Sequence, residues 1–175
     1  MNLPKRIFIV GISMLMWNNQ SHAQSNYIVD SKLNSSQEAV MQTALNLLEG
    51  IRNSDTVLFK SAFVANPDLA VVYKDATGKD RFQKNNFKEF IGSVGKEKSQ
   101  VWDEVIWNVD IRIDDKLAVM SCDYAFYLGR KFHHCGMDVF VMHQVDGSWK
   151  VFQLSDTRKD EGCKVPKELR KGRDL

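Results

Sequence analysis

The stretch VWDEVIWNVDIRIDDKLAVMSCDYAFYLGRKFHHCGMDVFVMHQVDGSWKVFQLSDT, Val101 to Thr157, decides the fold. Val101, Val105, Trp107, Val109, Ile111 and Ile113 alternate with Glu104, Asn108, Asp110 and Arg112, with breaks at Asp103 and Ile106. Period two over so long a span predicts a β-strand with one buried face. Asp114-Asp115 reads as a tight turn. Leu117 to Leu128 is the next strand, carrying Ala118, Met120, Cys122, Tyr124 and Phe126 on one face. Gly129-Arg130 reverses the chain. Phe132 to Val145 follows, with His134, Gly136, Asp138, Phe140 and Met142 on one side. Asp146-Gly147 is a hairpin signal, and Trp149 to Thr157 is the last strand.

Upstream the period changes. Ser35-Ser36-Gln37-Glu38 reads as a capping box with Ser35 as N-cap, and Val40, Met41, Ala44, Leu45, Leu47, Leu48 and Ile51 recur at helical spacing. Gly50, Asn53 and Ser54 loosen the end of that helix. Asp55 caps a short second helix holding Val57, Leu58, Phe59, Ala62 and Phe63, which Asn66-Pro67-Asp68 stops. Leu69 to Tyr73 predicts a short strand and Asp75 to Gly78 a turn. Asn85 or Asn86 caps a third helix with Phe87, Phe90 and Ile91, and Gly92 to Gln100 reads as loop. Helices followed by consecutive hairpins predict an α+β domain, its N-terminal helices packed on a strongly curved antiparallel sheet around a tapered cavity.

The first residues give a compartment. Lys5 and Arg6 precede an apolar run from Ile7 to Trp17, and Ser21-His22-Ala23 ends the segment. That layout predicts a signal peptide over 1–23, cleaved after Ala23, and a secreted or periplasmic protein. The apolar run falls short of the roughly 20 residues a spanning helix needs, so no stable membrane insertion is expected after cleavage. Residues 24–34 form a lead-in, 35–163 the domain, and 164–175 a basic tail expected to be solvated.

The segment 1–23 holds two of the 24 basic residues and none of the 22 acidic ones, so the remainder is charge-balanced. With no long basic run in its body, nucleic acid is not an expected partner. Three cysteines, Cys122, Cys135 and Cys163, predict one disulfide and one free thiol. His133-His134-Cys135 resembles a ligand cluster, but successive strand residues point to opposite faces, so no metal is expected there. Phosphate loops, nucleophile elbows and zinc-protease motifs are missing, and no cofactor is expected.

Arg52-Asn53-Ser54-Asp55, Asp115-Lys116-Leu117-Ala118-Val119 and Asp146-Gly147-Ser148-Trp149-Lys150-Val151, set in this element order, resemble the nuclear transport factor 2-like superfamily. These are cone-shaped, cystatin-like domains that include ketosteroid isomerases, scytalone dehydratase and SnoaL-like polyketide cyclases. His134-Cys135-Gly136 and Asp156-Thr157-Arg158 with Gly162-Cys163 also look like stretches of small secreted bacterial proteins of the lumazine-binding type. The resemblance spans about Ser35 to Thr157. It implies the cone fold, and it leaves function open, because one fold hosts many activities. Cys135 opens a strand and Cys163 lies just past the last one, which runs beside it, so these two are expected to pair and Cys122 to stay reduced.

An isomerase-like site needs a carboxylate base and hydrogen-bond donors in an apolar pocket. Asp138 and His134 are the catalytic candidates, and Tyr124, His134, Asp138, Gln153 and Ser155 the ligand-binding ones. Asp156 and Arg158 are expected to pair, with an anion-binding arginine as the alternative. Trp102, Trp107, Tyr124, Phe126, Phe140 and Phe152 are expected in core or cavity wall. The favoured function is a secreted domain that binds a small apolar or aromatic molecule, dimerises through its open sheet face, or both. The alternative is an isomerase, dehydratase or cyclase using Asp138 or His134.

Overall fold

The computed structural model describes residues 26–174, so the predicted signal segment lies outside the described residues. Helix α1 (Ser35–Asn53) is capped one residue earlier than expected: Asn34 and Gln37 exchange side-chain-to-backbone hydrogen bonds at 3.0 and 3.1 Å. Asn is as good an N-cap as Ser, and Gln closes the box as Glu would. Helix α2 (Thr56–Ser61) follows its Asp55 cap, whose Oδ1 accepts from the Val57 and Leu58 amides at 2.9 Å each. Gly50 is a packing feature, not a loosening one. A Cβ there would stand 2.6 Å from the Phe59 nitrogen, so its absence lets α2 lie against α1.

The strands are β1 (Phe63–Lys74), β2 (Asp80–Asn85), β3 (Trp102–Asp114), β4 (Leu117–Leu128), β5 (Lys131–Val145) and β6 (Ser148–Arg158), with helix α3 (Phe87–Gly95) between β2 and β3. They form one curved, unclosed sheet in the order β2-β1-β6-β5-β4-β3. All neighbours are antiparallel except β1 and β6, which run parallel. The α+β cone expected from the sequence is therefore present, with one parallel pair. Several local readings change: α3 runs on through Gly92 to Gly95, where a loop was expected, and Phe63 opens β1 instead of closing α2. Asn66-Pro67-Asp68 lies inside β1, where the pairing with β6 shifts register, an irregularity that tolerates a proline. Strand β2 went unread because an exposed edge strand, here Asp-Arg-Phe-Gln-Lys-Asn, has no apolar alternation to show.

The sheet has two apolar faces. The inner one packs Met120, Cys122, Tyr124, Phe140 and Met142 against Val40, Ala44, Leu47 and Ile51 of α1. On the outer face, Val105, Trp107, Ala125 and Tyr127 pack under Val165 and Leu169. The described part of the tail, 164–174, is thus docked through Val165 and Leu169, not solvated, with Leu169 in a short 3₁₀ turn and 1% exposed. The lead-in docks too: Ile28 donates to the Ile106 carbonyl and Ile106 to that of Asn26, both at 3.0 Å.

Candidate functional site

A cavity of about 570 Å³ lies between the helices and the inner face. Ile51 of α1, Leu69 of β1, Phe90 of α3, Trp102 of β3, Phe126 of β4 and Leu154 of β6 wall it. Its polar groups are His133, His134, Asp156 and Arg158, with Asn85, Asn86 and Glu89 also in the lining. Size and composition suit a small-molecule site, mostly apolar with few convergent polar groups.

Three bulges decide which side chains face this space. In β3 the register shifts between Trp107 and Asp110, with Asn108 at φ 50°. Two residues there oppose one, so the parity of the strand inverts. Beyond the bulge Val109, Ile111 and Ile113 pack inward; before it Trp102 and Ile106 do so, and Glu104 with them. Simple alternation had set Glu104 on the polar side. In β5 the shift falls between the pairs Phe126–His134 and Tyr127–Phe132. The extra residue is His133, which therefore joins His134 instead of pointing away: their Nδ1 atoms are 2.7 Å apart. In β6 the shift leaves Phe152 unpaired between Val151 and Gln153. Leu154 and Asp156 consequently line the cavity, while Gln153 and Ser155 occupy the opposite parity and lie outside the lining.

Tyr124, His134 and Asp138 do share the inner face, at 2%, 8% and 6% exposure. His134 borders the cavity; Tyr124 and Asp138 are buried beside it without reaching its lining. The Tyr124 hydroxyl donates to the Thr157 carbonyl at 3.0 Å and to Asp156 Oδ2 at 3.3 Å. Gly136, opposite Tyr124 on β5, permits this: a Cβ there would meet the Thr157 oxygen at 1.7 Å and the Tyr124 ring at 2.9 Å. Asp156 Oδ2 also accepts from Arg158 Nε at 2.8 Å, the expected pair, here in the cavity wall.

The electrostatics follow from burial without a spare cation. The Asp138 and Glu104 carboxyls hydrogen-bond to each other. Burial, then the charge of Asp156, pushes Glu104 up to about 8. Burial, then Glu104 and Asp156, raises Asp138 well above the carboxylate range. The pair holds a proton at neutral pH, because two adjacent buried carboxylates cannot both ionise. Burial, then Arg158 and His133, lowers His134 to about 3, so its ring is neutral. Burial, then Asp138 and Glu104, raises the Cys122 thiol, which makes it an inert core residue. Cys135 and Cys163 form the disulfide, with Cys122 free and buried. Among the described residues no group of three or more His, Cys, Asp or Glu is arranged to hold a metal ion. No described helix is long and apolar enough to cross a membrane.

No family model matches the chain, and no curated protein does either. Solved structures do. A nuclear transport factor 2-like protein with a cystatin-like fold from Novosphingobium aromaticivorans aligns with a TM-score of 0.57 at 9% identity, over 79% of this chain and 89% of its own. A nuclear transport factor 2-like protein from Cytophaga hutchinsonii gives 0.54 at 20% identity, over 73% and 100%. A second Novosphingobium aromaticivorans protein, named as a scytalone dehydratase, gives 0.55 at 11% identity, over 74% and 90%. The chain has the nuclear transport factor 2-like, cystatin-like fold.

Proposed function

We propose that this protein is a binding domain that holds a small, flat, largely apolar molecule in the cone cavity and does no chemistry on it. The observation that carries this reading is the separation of the cavity from Asp138, the would-be carboxylate base. Trp102, Phe126, Phe90 and Leu154 offer a wall for a ring system, whereas Asp138 lies behind that wall and is held protonated. A protonated acid is no base, and His134, lowered to about 3, binds protons too weakly to be one near neutral pH. The isomerase or dehydratase alternative, which the name of the Novosphingobium neighbour would favour, finds no poised base in Asp138 or His134 for that reason.

Titration with Nile red, a neutral flat dye, tests the reading. Binding with enhanced emission is expected, and Leu154→Trp, which fills the cavity, should abolish it. Turnover of an enolisable ketone that Asp138→Asn lowers about 100-fold or more, the scale of a lost general base, would overturn it.

A bare patch on the outer face favours self-association beside ligand binding. Leu117, Val119 and Met137 are 49%, 40% and 44% exposed on neighbouring strands. A homodimer through this face predicts twice the monomer mass in light scattering, and Val119→Lys should restore the monomer. Export, the remaining part of the proposal, is supported by the Cys135–Cys163 disulfide, which persists in oxidising compartments. An N-terminus at Gln24 in mass spectra of exported protein tests it.

A further inference from the structure

Granting that the cone cavity is a binding site, we infer that it selects uncharged ligands carrying a hydrogen-bond donor and acceptor side by side, of carboxamide or lactam type, over carboxylates and hydrocarbons. The evidence is the bonding state of its polar end. Arg158 uses Nε on Asp156 Oδ2, and Tyr124 uses the same oxygen. Among the described residues, the two terminal nitrogens of Arg158 and Oδ1 of Asp156 have no hydrogen-bond partner, and both residues line the cavity. The pair thus presents donors next to an acceptor while its formal charges cancel.

His134 adds a further uncharged group. One Nδ1 must donate to the other across the 2.7 Å contact of the two histidines. The neutral His134 ring therefore keeps a bare Nε2 if its Nδ1 donates, or an Nε2–H if its Nδ1 accepts. His134 is uncharged at neutral pH and Arg158 is paired with Asp156, so neither offers a carboxylate an unopposed cation. A carboxylate would surrender its hydration to meet an arginine already neutralised, with Asp156 beside it and Glu89 also in the lining. A hydrocarbon would displace water from Asp156 and Arg158 and return no hydrogen bond. An amide head satisfies both groups at once.

Equilibrium dialysis of the purified protein at pH 7 against naphthalene-2-carboxamide, 2-naphthoate and 2-methylnaphthalene tests this. The three probes share one ring system and differ in the head. The carboxamide is expected to bind at least about 10-fold tighter than either relative, as for sites built around hydrogen bonds to the ligand. Asp156→Asn keeps the shape and unmasks Arg158, and should reverse the order so that 2-naphthoate binds best. Arg158→Gln makes the converse test should Asp156→Asn not fold: unmasking Asp156 should widen the preference for carboxamide over naphthoate. If 2-naphthoate binds tightest to the unaltered protein, or 2-methylnaphthalene matches the carboxamide, the selectivity is wrong while the cavity stands as a site. If no probe binds and Nile red also fails, the cavity reading falls with it.

Discussion

Asp103 and Glu104 are neighbours on β3 with side chains on opposite faces of the sheet, and they meet opposite surroundings. Asp103, 5% exposed, is clasped by cations. Arg52 from α1 reaches Oδ1, Arg173 from the tail holds Oδ2 at 2.6 and 2.8 Å, and Asn26 from the lead-in donates to Oδ1 at 3.3 Å. Among the described residues Glu104 has no such partner; it shares a hydrogen bond with Asp138, and nearby Arg158 is committed to Asp156. The outer acid is compensated by ion pairs and the inner one by keeping a proton. The difference assigns them different work. The clasp fastens both ends of the described chain to one edge of the sheet, and the inner pair keeps the ground behind the cavity polar with at most one negative charge.

The contrast breaks first at the clasp. Asp103→Ala leaves Arg173, 6% exposed, buried without its carboxylate, and should lower unfolding free energy in urea by about 3–5 kcal/mol. A loss below about 1 kcal/mol, the scale of a surface pair, would mean that Val165 and Leu169 hold the tail unaided.

The inner pair should show itself through pH. Glu104 keeps its proton in the folded state up to about 8, against an ordinary value of 4.5. Its stabilising contribution is therefore full below 4.5 and is lost as pH rises through 8. His134 acts the other way, since a folded value of about 3 against 6.5 removes stability as pH falls through that window. The two oppose each other below 6.5, and the carboxyl pair acts alone above it. Stability should fall between pH 6.5 and 8 by at most about 1.4 kcal/mol per pH unit per group, and Glu104→Gln should flatten the slope. A rise over that range would contradict the shared proton.

The smallest effect sharpens the comparison most. Asp138→Asn replaces a protonated acid with an amide of the same shape, and should change stability at pH 7 by less than about 1 kcal/mol, the scale of one neutral hydrogen bond. Two buried aspartates would then differ severalfold in what their removal does. A loss as large as that of Asp103→Ala would make Asp138 an ionised counter-ion.

The caps of the second and third helices, the four-strand meander, the Cys135–Cys163 pair and the inward set Tyr124, His134 and Asp138 were legible because period and turn chemistry are local. What was misread sits at bulges. One extra residue at Asn108, His133 or Phe152 inverts the parity that alternation relies on. That inversion turned Glu104 inward, joined His133 to His134, and took Gln153 and Ser155 out of the cavity in favour of Leu154 and Asp156. Asp103 and Ile106, which break the alternation in β3, were the visible trace of the first bulge. The docking of Val165, Leu169 and Arg173 left no such trace, because a short basic tail has no period to read.

The proposed function requires the cone cavity to hold a small uncharged ligand. Amide shifts in two-dimensional proton–nitrogen NMR during titration with naphthalene-2-carboxamide test it most directly. Saturable shifts are expected at Phe90, Trp102, Phe126, His134 and Leu154, with Val119 and Val141 on the outer face unmoved. Shifts centred on Val119 and Val141, or no shifts at the solubility limit of the probe, would contradict it.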